Sequence, residues 1–305
     1  MPSASTFAVK AASRKVVVAV LVGVGVLALI CYHFYPGKLP RWVEPAWPSA
    51  NNQFEAWQPI YDGVNYCRGH FSQPRLMKAH AIRVDLTAPG ISLLANPAAP
   101  DAPGFVRSIY PSVFLRRYQL QVVVSATAFH PFVKLADQLV ELDGLGISEG
   151  RLVKSAALNL DCLVFNHDNS AVFLRQSNPG PQAWTGVGGN WMILTNGVPT
   201  PDYFTVEPMS VGGLSADRRY LYWLVVDGRQ PGYSEGADAT DAARMMQQLG
   251  ASDALRFDGG SVVTLVRDGG WRGATVLNQP SHPVVRGFER PIGGLLGIRA
   301  RPLPP

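Results

Sequence analysis

Two Asp-Gly steps are the residues of this sequence best suited to chemistry, because each follows an apolar run. Asp227-Gly228-Arg229 comes directly after residues 221–226, and Asp258-Gly259-Gly260-Ser261 ends a shorter apolar run. A carboxylate can act as a base, and neighbouring glycines let backbone N–H groups and a ligand approach it closely. Together with the Arg229 cation, these acids could form a site for a charged ligand. The alternative is that both steps are ordinary hairpin turns.

These acids are positioned by strands and a helix that the flanking residues predict. The pattern at residues 240–249 predicts the clearest helix, with Thr240 as its cap, and residues 105–118 predict another. β-Branched or alternating apolar runs predict strands. The predicted strands are residues 79–86, 121–125, 146–147 with 151–153, 161–165, 171–174, 191–195, 221–226 and 262–266.

Many strands with few helices favour the α+β class: a single domain with a mainly antiparallel mixed sheet and a few helices. The predicted helix at residues 240–249 lies between the two Asp-Gly steps. If the strands before Asp227 and Asp258 are parallel neighbours, this helix is their crossover. Both carboxylates then lie at one edge of the sheet.

The N-terminal segment has the character of a membrane anchor. Residues 16–30 are all apolar or Gly, and no formal charge appears again until Lys38. Residues 16–35 are therefore predicted to form one transmembrane helix with the lipid bilayer as its partner. The basic segment at 1–15 is expected in the cytoplasm, and the C-terminal domain in the periplasm or outside the cell. A cleaved signal peptide is the rival interpretation.

The remainder of the chain is divided by composition. Residues 36–58 are rich in Pro and Trp and are predicted to be a tether, and residues 59–305 to be the domain. Of 27 basic residues, three precede residue 36, which leaves 24 against 22 acidic residues. This balance, without a basic stripe, argues against nucleic acid as a partner. Cys67 and Cys162 could form a disulfide or remain two buried thiols. No Cys/His spacing indicates a zinc site, so neither metal nor cofactor is predicted.

Several segments resemble, in order, the motifs of the phosphodiester glycosidase family. The strongest are residues 225–236, VVDGRQPGYSEG, and residues 249–261, LGASDALRFDGGS. The other matching segments are residues 122–131, VVVSATAFHP, residues 145–150, LGISEG, residues 188–197, GGNWMILTNG, and residues 289–298, ERPIGGLLGI. The resemblance covers roughly residues 60 to 300, and the ordered set is specific although each motif alone is weak.

The resemblance implies hydrolysis of a sugar-1-phosphodiester in a phosphate-linked glycan. Asp258 and Asp227 are then the catalytic carboxylates. Arg229 and Arg256 are the cations that would hold the phosphate. The backbone N–H groups of Gly259, Gly260 and Ser261 would complete the phosphate cradle.

Other matched residues are candidates for substrate binding or for shaping the site. Ser125 and His130 belong to the first matched strand, although a structural role is the competing interpretation of the histidine. Glu289 and Arg290 are predicted to form an internal ion pair that shapes the site.

The chain departs from the family pattern at polar positions. Ser125 replaces an Asn, Met209 an Arg and Arg256 an Asn. The last change could restore the positive charge lost at Met209. The departures keep a second function open: a catalytically weakened member that binds glycan or assists polysaccharide biosynthesis or export.

Overall fold

The computed structural model describes residue 47 and residues 49–157, 159–175, 177, 179–200, 203–282 and 286–304. The predicted transmembrane helix at 16–35, the basic segment at 1–15 and most of the predicted tether lie outside these residues. Among the described residues, no helix combines the length and apolar character needed to cross a bilayer.

The described part of the chain is mostly β-sheet with two α-helices, α1 (Pro111–Arg117) and α2 (Ala239–Leu249). The strands are β1 (Gln53–Phe54), β2 (Gln58–Tyr61), β3 (Val64–Phe71), β4 (Met77–Asp85), β5 (Ser92–Ala95), β6 (Val106–Arg107), β7 (Val122–Ser125), β8 (Phe129–His130), β9 (Leu139–Leu142), β10 (Gly146–Ser148), β11 (Arg151–Lys154), β12 (Asp161–Asn166), β13 (Ala171–Arg175), β14 (Ala183–Gly188), β15 (Met192–Thr195), β16 (Val198–Pro199), β17 (Met209–Leu214), β18 (Tyr220–Val226), β19 (Asp253–Gly259), β20 (Leu265–Asp268), β21 (Ala274–Val276) and β22 (Leu295–Arg299).

The described residues form four sheets. The largest has the order β1-β3-β4-β18-β17-β19-β15-β16, with β2 on β3. Two five-stranded sheets have the orders β11-β10-β14-β12-β13 and β21-β20-β7-β22-β5, and a small sheet has the order β6-β9-β8. The prediction of a mainly antiparallel sheet with few helices is confirmed. The expected mixed sheet is not seen, since every strand pair in the described residues is antiparallel.

The strands that end at the two Asp-Gly steps are not neighbours, which corrects the predicted arrangement. β17 lies between β18 and β19 and pairs antiparallel with both. Because both outer strands oppose β17, they run in the same direction and end at the same edge. The predicted connection through α2 is correct, but the crossover spans one intervening strand.

The large sheet is buried on both faces, which explains the continuous apolar run in β18. Successive side chains of a strand point to opposite faces. Leu221, Trp223 and Val225 join the core that faces the other sheets. Tyr222 and Leu224 join the core beneath α2, together with Met246 and Leu249 of that helix. The domain is thus layered as helix, large sheet and smaller sheets.

Neither predicted helix begins where the sequence indicated: α2 begins one residue earlier and α1 six residues later. Asp238, rather than Thr240, is the N-cap of α2: its side chain accepts from the Asp241 N–H, and Asp241 reciprocates in a capping box. The helix predicted at 105–118 is shorter, because Val106–Arg107 pairs with β9 and α1 begins only at Pro111. Proline favours this first helical position.

Two other predictions change at their boundaries. The strand predicted at 262–266 begins at Leu265, because Gly260–Val262 forms a 3₁₀ turn. The predicted tether extends to residue 58, but Gln53–Phe54 already pairs with β3 in the large sheet. The domain therefore begins before residue 59.

Cys67 and Cys162 are free and buried in separate core clusters. Of the two alternatives left open by the sequence, the structure has the pair of buried thiols.

Candidate active site

A cavity of about 310 Å³ opens beside the end of β19, where the chain turns into the 3₁₀ helix Gly260–Val262. Segments that are distant in the sequence meet there. The lining residues are Phe129, Phe132, Glu207, Arg229, Arg256, Asp258, Gly259, Gly260, Ser261, Val262 and Arg290. Of the residues predicted from sequence, the cavity brings together Arg229, Arg256 and the whole segment 258–261.

Asp258 lies one residue before the end of β19 and lines the cavity. Its Oδ1 accepts a hydrogen bond from the Gly259 N–H at 2.8 Å. Burial raises the pKa of its carboxyl to about 6, against the opposing effects of the Gly259 N–H and the Arg256 charge. The negative charges of Asp143 and Glu207 raise that pKa further. Such a carboxyl group changes its ionisation near neutral pH.

Glu207, which belongs to none of the motifs singled out in the sequence, links two of the cavity's cations. Arg229 Nη2 donates to Oε2 of Glu207 at 2.6 Å, and Arg256 Nη2 donates to Oε1 at 2.7 Å. Tyr203 also donates its hydroxyl to Oε1 at 3.1 Å, and the Arg256 guanidinium lies 4.2 Å from the centre of the Tyr203 ring. One carboxylate therefore serves two guanidinium groups.

The two glycines after Asp258 allow this close packing. A Cβ on Gly259 would lie 2.8 Å from Oε1 of Glu207 and 3.2 Å from Nη2 of Arg256. Gly260 has a φ of +73°, and a Cβ there would lie 3.1 Å from Nη1 of Arg229. Side chains at these positions would displace the ion pairs.

The backbone N–H groups of this turn are already partly used. The Gly259 N–H donates to Asp258, and the Gly260 N–H donates to the Pro208 carbonyl at 2.9 Å. The phosphate cradle predicted from Gly259, Gly260 and Ser261 thus loses two of its three donors.

Arg290 forms another part of the lining, beside Ser261 and Phe132. Its Nη1 donates to Ser261 Oγ at 2.5 Å, and its Nη2 donates to the Val133 carbonyl at 3.2 Å. Its guanidinium carbon lies 3.8 Å from the centre of the Phe132 ring. Glu289, its predicted partner, instead accepts from the N–H and hydroxyl of Ser112 at the start of α1.

Asp227 lies at the same sheet edge but outside the cavity lining, and it is 1% exposed. Its carboxylate accepts hydrogen bonds from Asn278 Nδ2 at 3.0 Å, the Gln279 N–H at 2.9 Å and the Tyr233 hydroxyl at 3.2 Å. His80 Nε2 lies 3.5 Å away. These contacts join the loop after β18 to residues 278–279, so Asp227 holds the neighbouring segments in place.

Ser125 and Met209, two positions that differ from the family pattern, are both fully buried. Ser125 Oγ accepts from the Thr264 N–H at 3.2 Å, and Met209 packs in the core beneath α2. Neither lines the cavity.

His130 lies on β8 next to the lining residue Phe129, with its own side chain 59% exposed. Its Nδ1 pairs with Asp143, and its Nε2 lies 3.4 Å from Glu141. The hydrogen bond and charge of Asp143 raise the pKa of His130, and Glu141 adds to the effect. The histidine therefore belongs to a surface ion-pair cluster near the cavity.

The lining carries three guanidinium groups and two carboxylates, so its balance of charge is positive. That arrangement suits an anionic ligand placed against one ionisable carboxylate. In the described part of the chain, no group of three or more His, Cys, Asp or Glu residues could hold a metal ion.

Solved structures with a similar fold include an enzyme. The zebrafish N-acetylglucosamine-1-phosphodiester alpha-N-acetylglucosaminidase catalytic domain, auto-inhibited by its pro-peptide, matches with a TM-score of 0.61 and 18% identity. The match covers 82% of this chain and 88% of that one. A hypothetical protein from Synechocystis matches with a TM-score of 0.60 and 12% identity, over 80% of this chain and 64% of that one. At these identities the likeness shows the fold alone.

Sequence comparison identifies the family. No curated protein matches the chain. The sequence model of the family described as phosphodiester glycosidase matches residues 118–299, which is more than half of the chain. The matched region includes Asp258, Glu207 and all three lining arginines. This chain belongs to the phosphodiester glycosidase family.

Proposed function

We propose that the protein hydrolyses a sugar-1-phosphodiester bond in a phosphate-linked glycan. The observation that supports this most directly is the Asp258 carboxyl, with a pKa of about 6, in a cavity lined by three arginines. Such a cavity matches a substrate whose phosphate is negative and whose sugar becomes positive as the bond breaks.

The two carboxylates of the lining differ in their availability. Glu207 is occupied by Arg229 and Arg256. Within the described residues, Asp258 has no ion-pair partner and accepts one hydrogen bond, from the N–H of Gly259. It is therefore the group we assign to the reacting centre.

The reaction is a substitution at the sugar's anomeric carbon. The bond from this carbon to the phosphate oxygen breaks, and its electron pair leaves with the phosphate. Water supplies the new hydroxyl, and its other proton passes to the Asp258 carboxylate or to solvent. Ionised Asp258 would stabilise the positive sugar or activate that water. Because a phosphate leaves readily, guanidinium groups can replace a strong general acid at the leaving oxygen.

A weakened, glycan-binding member is the second candidate function. It is supported by the burial of Ser125 and Met209. These two positions carry polar residues in the family pattern, but neither contributes a side chain to the cavity lining here. An arginine at Met209 would bury a charge in the core, so Met209→Arg is expected to destabilise the domain rather than restore activity.

The location of the activity is part of the proposal. The apolar run at residues 16–35, with its basic flank, supports a membrane anchor with the catalytic domain in the periplasm or outside the cell. A reporter that is active only in the periplasm, fused after Pro305, would give signal in the membrane fraction. A silent reporter, or a soluble mature chain that begins beyond residue 36, would contradict the anchor.

The activity is tested by incubating the full chain, solubilised in detergent, with sugar-1-phosphodiesters and measuring released sugar. Asp258→Asn should lower the rate by about 100-fold or more, the usual scale for a lost acid–base group. Asp137→Asn is the matched control, because Asp137 is 80% exposed and its positive φ suits Asn. Binding without turnover in the wild type would favour the glycan-binding alternative. Full activity in Asp258→Asn would remove Asp258 from the mechanism.

A further inference from the structure

We infer that Arg290 is the residue that binds the phosphate oxygens, while Arg229 and Arg256 mainly hold Glu207. The inference rests on the proposed phosphodiester substrate. It changes the role of Arg290 from one half of a structural ion pair to the principal anion-binding group of the cavity.

The distribution of charge separates the three arginines. Arg229 and Arg256 share the Glu207 carboxylate at 2.6 and 2.7 Å. Arg290 has no carboxylate within ion-pair distance in the described part of the chain, and it donates instead to a hydroxyl and a carbonyl. Its charge is therefore not neutralised by direct contact, which leaves it the strongest attraction for an anion.

Burial points to the same residue. Arg290 is 4% exposed, whereas the Arg229 side chain is 52% exposed. A charge-assisted hydrogen bond gains strength where water is excluded, and an exposed guanidinium loses much of its attraction to solvent screening. A buried guanidinium with no counter-ion costs free energy unless something compensates it, and a bound phosphate would do so.

Arg290 also has hydrogen-bond donors available for a ligand, and its guanidinium is held in a fixed position. A guanidinium carries five N–H donors, and two of those on Arg290 have acceptors among the described residues: Ser261 Oγ and the Val133 carbonyl. These two bonds fix the arginine to the turn after β19 and to the segment that follows β8, and the Phe132 ring packs against its guanidinium face. The remaining donors are held in place for a bidentate phosphate.

Phe132 extends the site from phosphate to sugar. Its ring lines the cavity and packs against the buried Arg290 guanidinium. Phe132 nevertheless remains 62% exposed. An exposed aromatic face beside an anion-binding group suits the apolar face of a sugar ring. The pair would thus orient the sugar and its phosphate together.

Phosphate binding can be measured without turnover, using phenyl phosphate as the probe and calorimetry as the readout. Arg290→Gln should weaken binding by about tenfold or more, the scale of a lost charge-assisted hydrogen bond. Arg290→Lys should weaken it less, because it keeps the charge and loses the planar fork. Arg229→Gln should weaken binding by about threefold at most, since solvent screening limits the attraction between an exposed charge and the anion.

The outcomes separate this inference from the proposed activity. Loss of binding in Arg229→Gln with retention in the Arg290 variants would overturn the inference, as would a wild type that binds no phosphomonoester. If Arg290→Gln does not fold, as judged by circular dichroism, the lysine variant decides. A wild type that binds phenyl phosphate through Arg290 but releases no sugar would contradict only the proposed activity.

Discussion

Oε1 of Glu207 accepts a hydrogen bond from Nη2 of Arg256 at 2.7 Å, and both side chains are more than nine-tenths buried. The pair lies in the cavity wall, where the second carboxylate oxygen accepts from Arg229. Removing the charge of Glu207 would leave the Arg256 guanidinium buried without a carboxylate. The first prediction follows from this dependence.

Glu207→Gln should lower the free energy of unfolding by about 3–5 kcal/mol, the usual cost of breaking a buried ion pair from one side. Urea unfolding measures the change. Glu235→Gln is the control, because Glu235 is exposed, and it should change stability by no more than about 0.5 kcal/mol. An equal, small effect of both substitutions would mean that Glu207 does not stabilise Arg256.

The second prediction concerns the pH dependence of the rate. If ionised Asp258 is the reactive form, kcat/KM should rise as the pH increases through about 6, the pKa of that carboxyl, and then level off. The profile should be measured with a sugar-1-phosphodiester. A profile that is flat across this range would show that another group controls the reaction.

A neighbouring carboxylate gives a finer test of the same assignment. The charge of Asp143 helps to raise the pKa of Asp258, so Asp143→Asn should move the rising limb to lower pH. The same substitution should lower the pKa of His130, which Asp143 raises, and NMR titration of the imidazole would detect that change. Asp137→Asn should alter neither property.

Asp258 should also reduce the stability of the folded protein as the pH rises. Its folded pKa of about 6 exceeds the ordinary value of 3.8, so between these values the folded state binds more protons than the unfolded state. Stability contributed by this group is therefore lost as pH increases through that window. Relative to wild type, Asp258→Asn should gain up to about 3 kcal/mol between pH 4 and pH 7, measured by urea unfolding. A difference that does not change with pH would contradict the raised pKa.

Gly259→Ala should disrupt the Glu207 bridge, because the added methyl group would lie 2.8 Å from Oε1 of Glu207. We expect a loss of about 1–3 kcal/mol in stability, the cost of overpacking, together with reduced activity. Gly180→Ala is the control: Gly180 is exposed, and a Cβ there meets nothing within 4 Å. Thermal unfolding and the sugar-release assay distinguish the two variants.

The buried thiols give a chemical prediction. Burial raises the pKa of Cys67 to about 12 and that of Cys162 to about 11, so neither should react with a thiol reagent in the folded protein. Both should be labelled after unfolding without reductant. Recovery of a peptide pair linked through Cys67 and Cys162 would instead show the disulfide that the sequence left possible.

The strands that sequence patterns predict best are those buried on both faces, such as Tyr220–Val226. Met209–Leu214 was missed because it contains a serine and two glycines, which weaken a strand pattern. The structure shows why one glycine is needed. A Cβ at Gly212 would lie 2.6 Å from the Phe257 ring, so a poor strand former permits close packing between neighbouring strands.

The site was predictable only where it is local in sequence. Asp258 and the two glycines form one continuous motif, and the cavity includes them. Glu207 belongs to no such motif, and it reaches Arg256 across 49 positions of the chain. The sequence indicated the motif that includes Arg290, but it indicated the wrong partner for that arginine. Glu289, the predicted partner, accepts a hydrogen bond from Ser112 instead.

The sheet that contains β7 and β22 gives the domain a high contact order. The Leu295 N–H, on the last strand, donates to Asn96 across 199 positions, and Arg290 reaches Val133 across 157. Such pairings close large loops before they contribute stability, so we expect slow folding. β7, the central strand of this sheet, pairs with β22, which is the last strand to be synthesised. Folding of this sheet must therefore follow synthesis of the C-terminal segment. A chain that stops before residue 289 would lack the strand between β7 and β5, and it would lack Arg290 in the cavity lining.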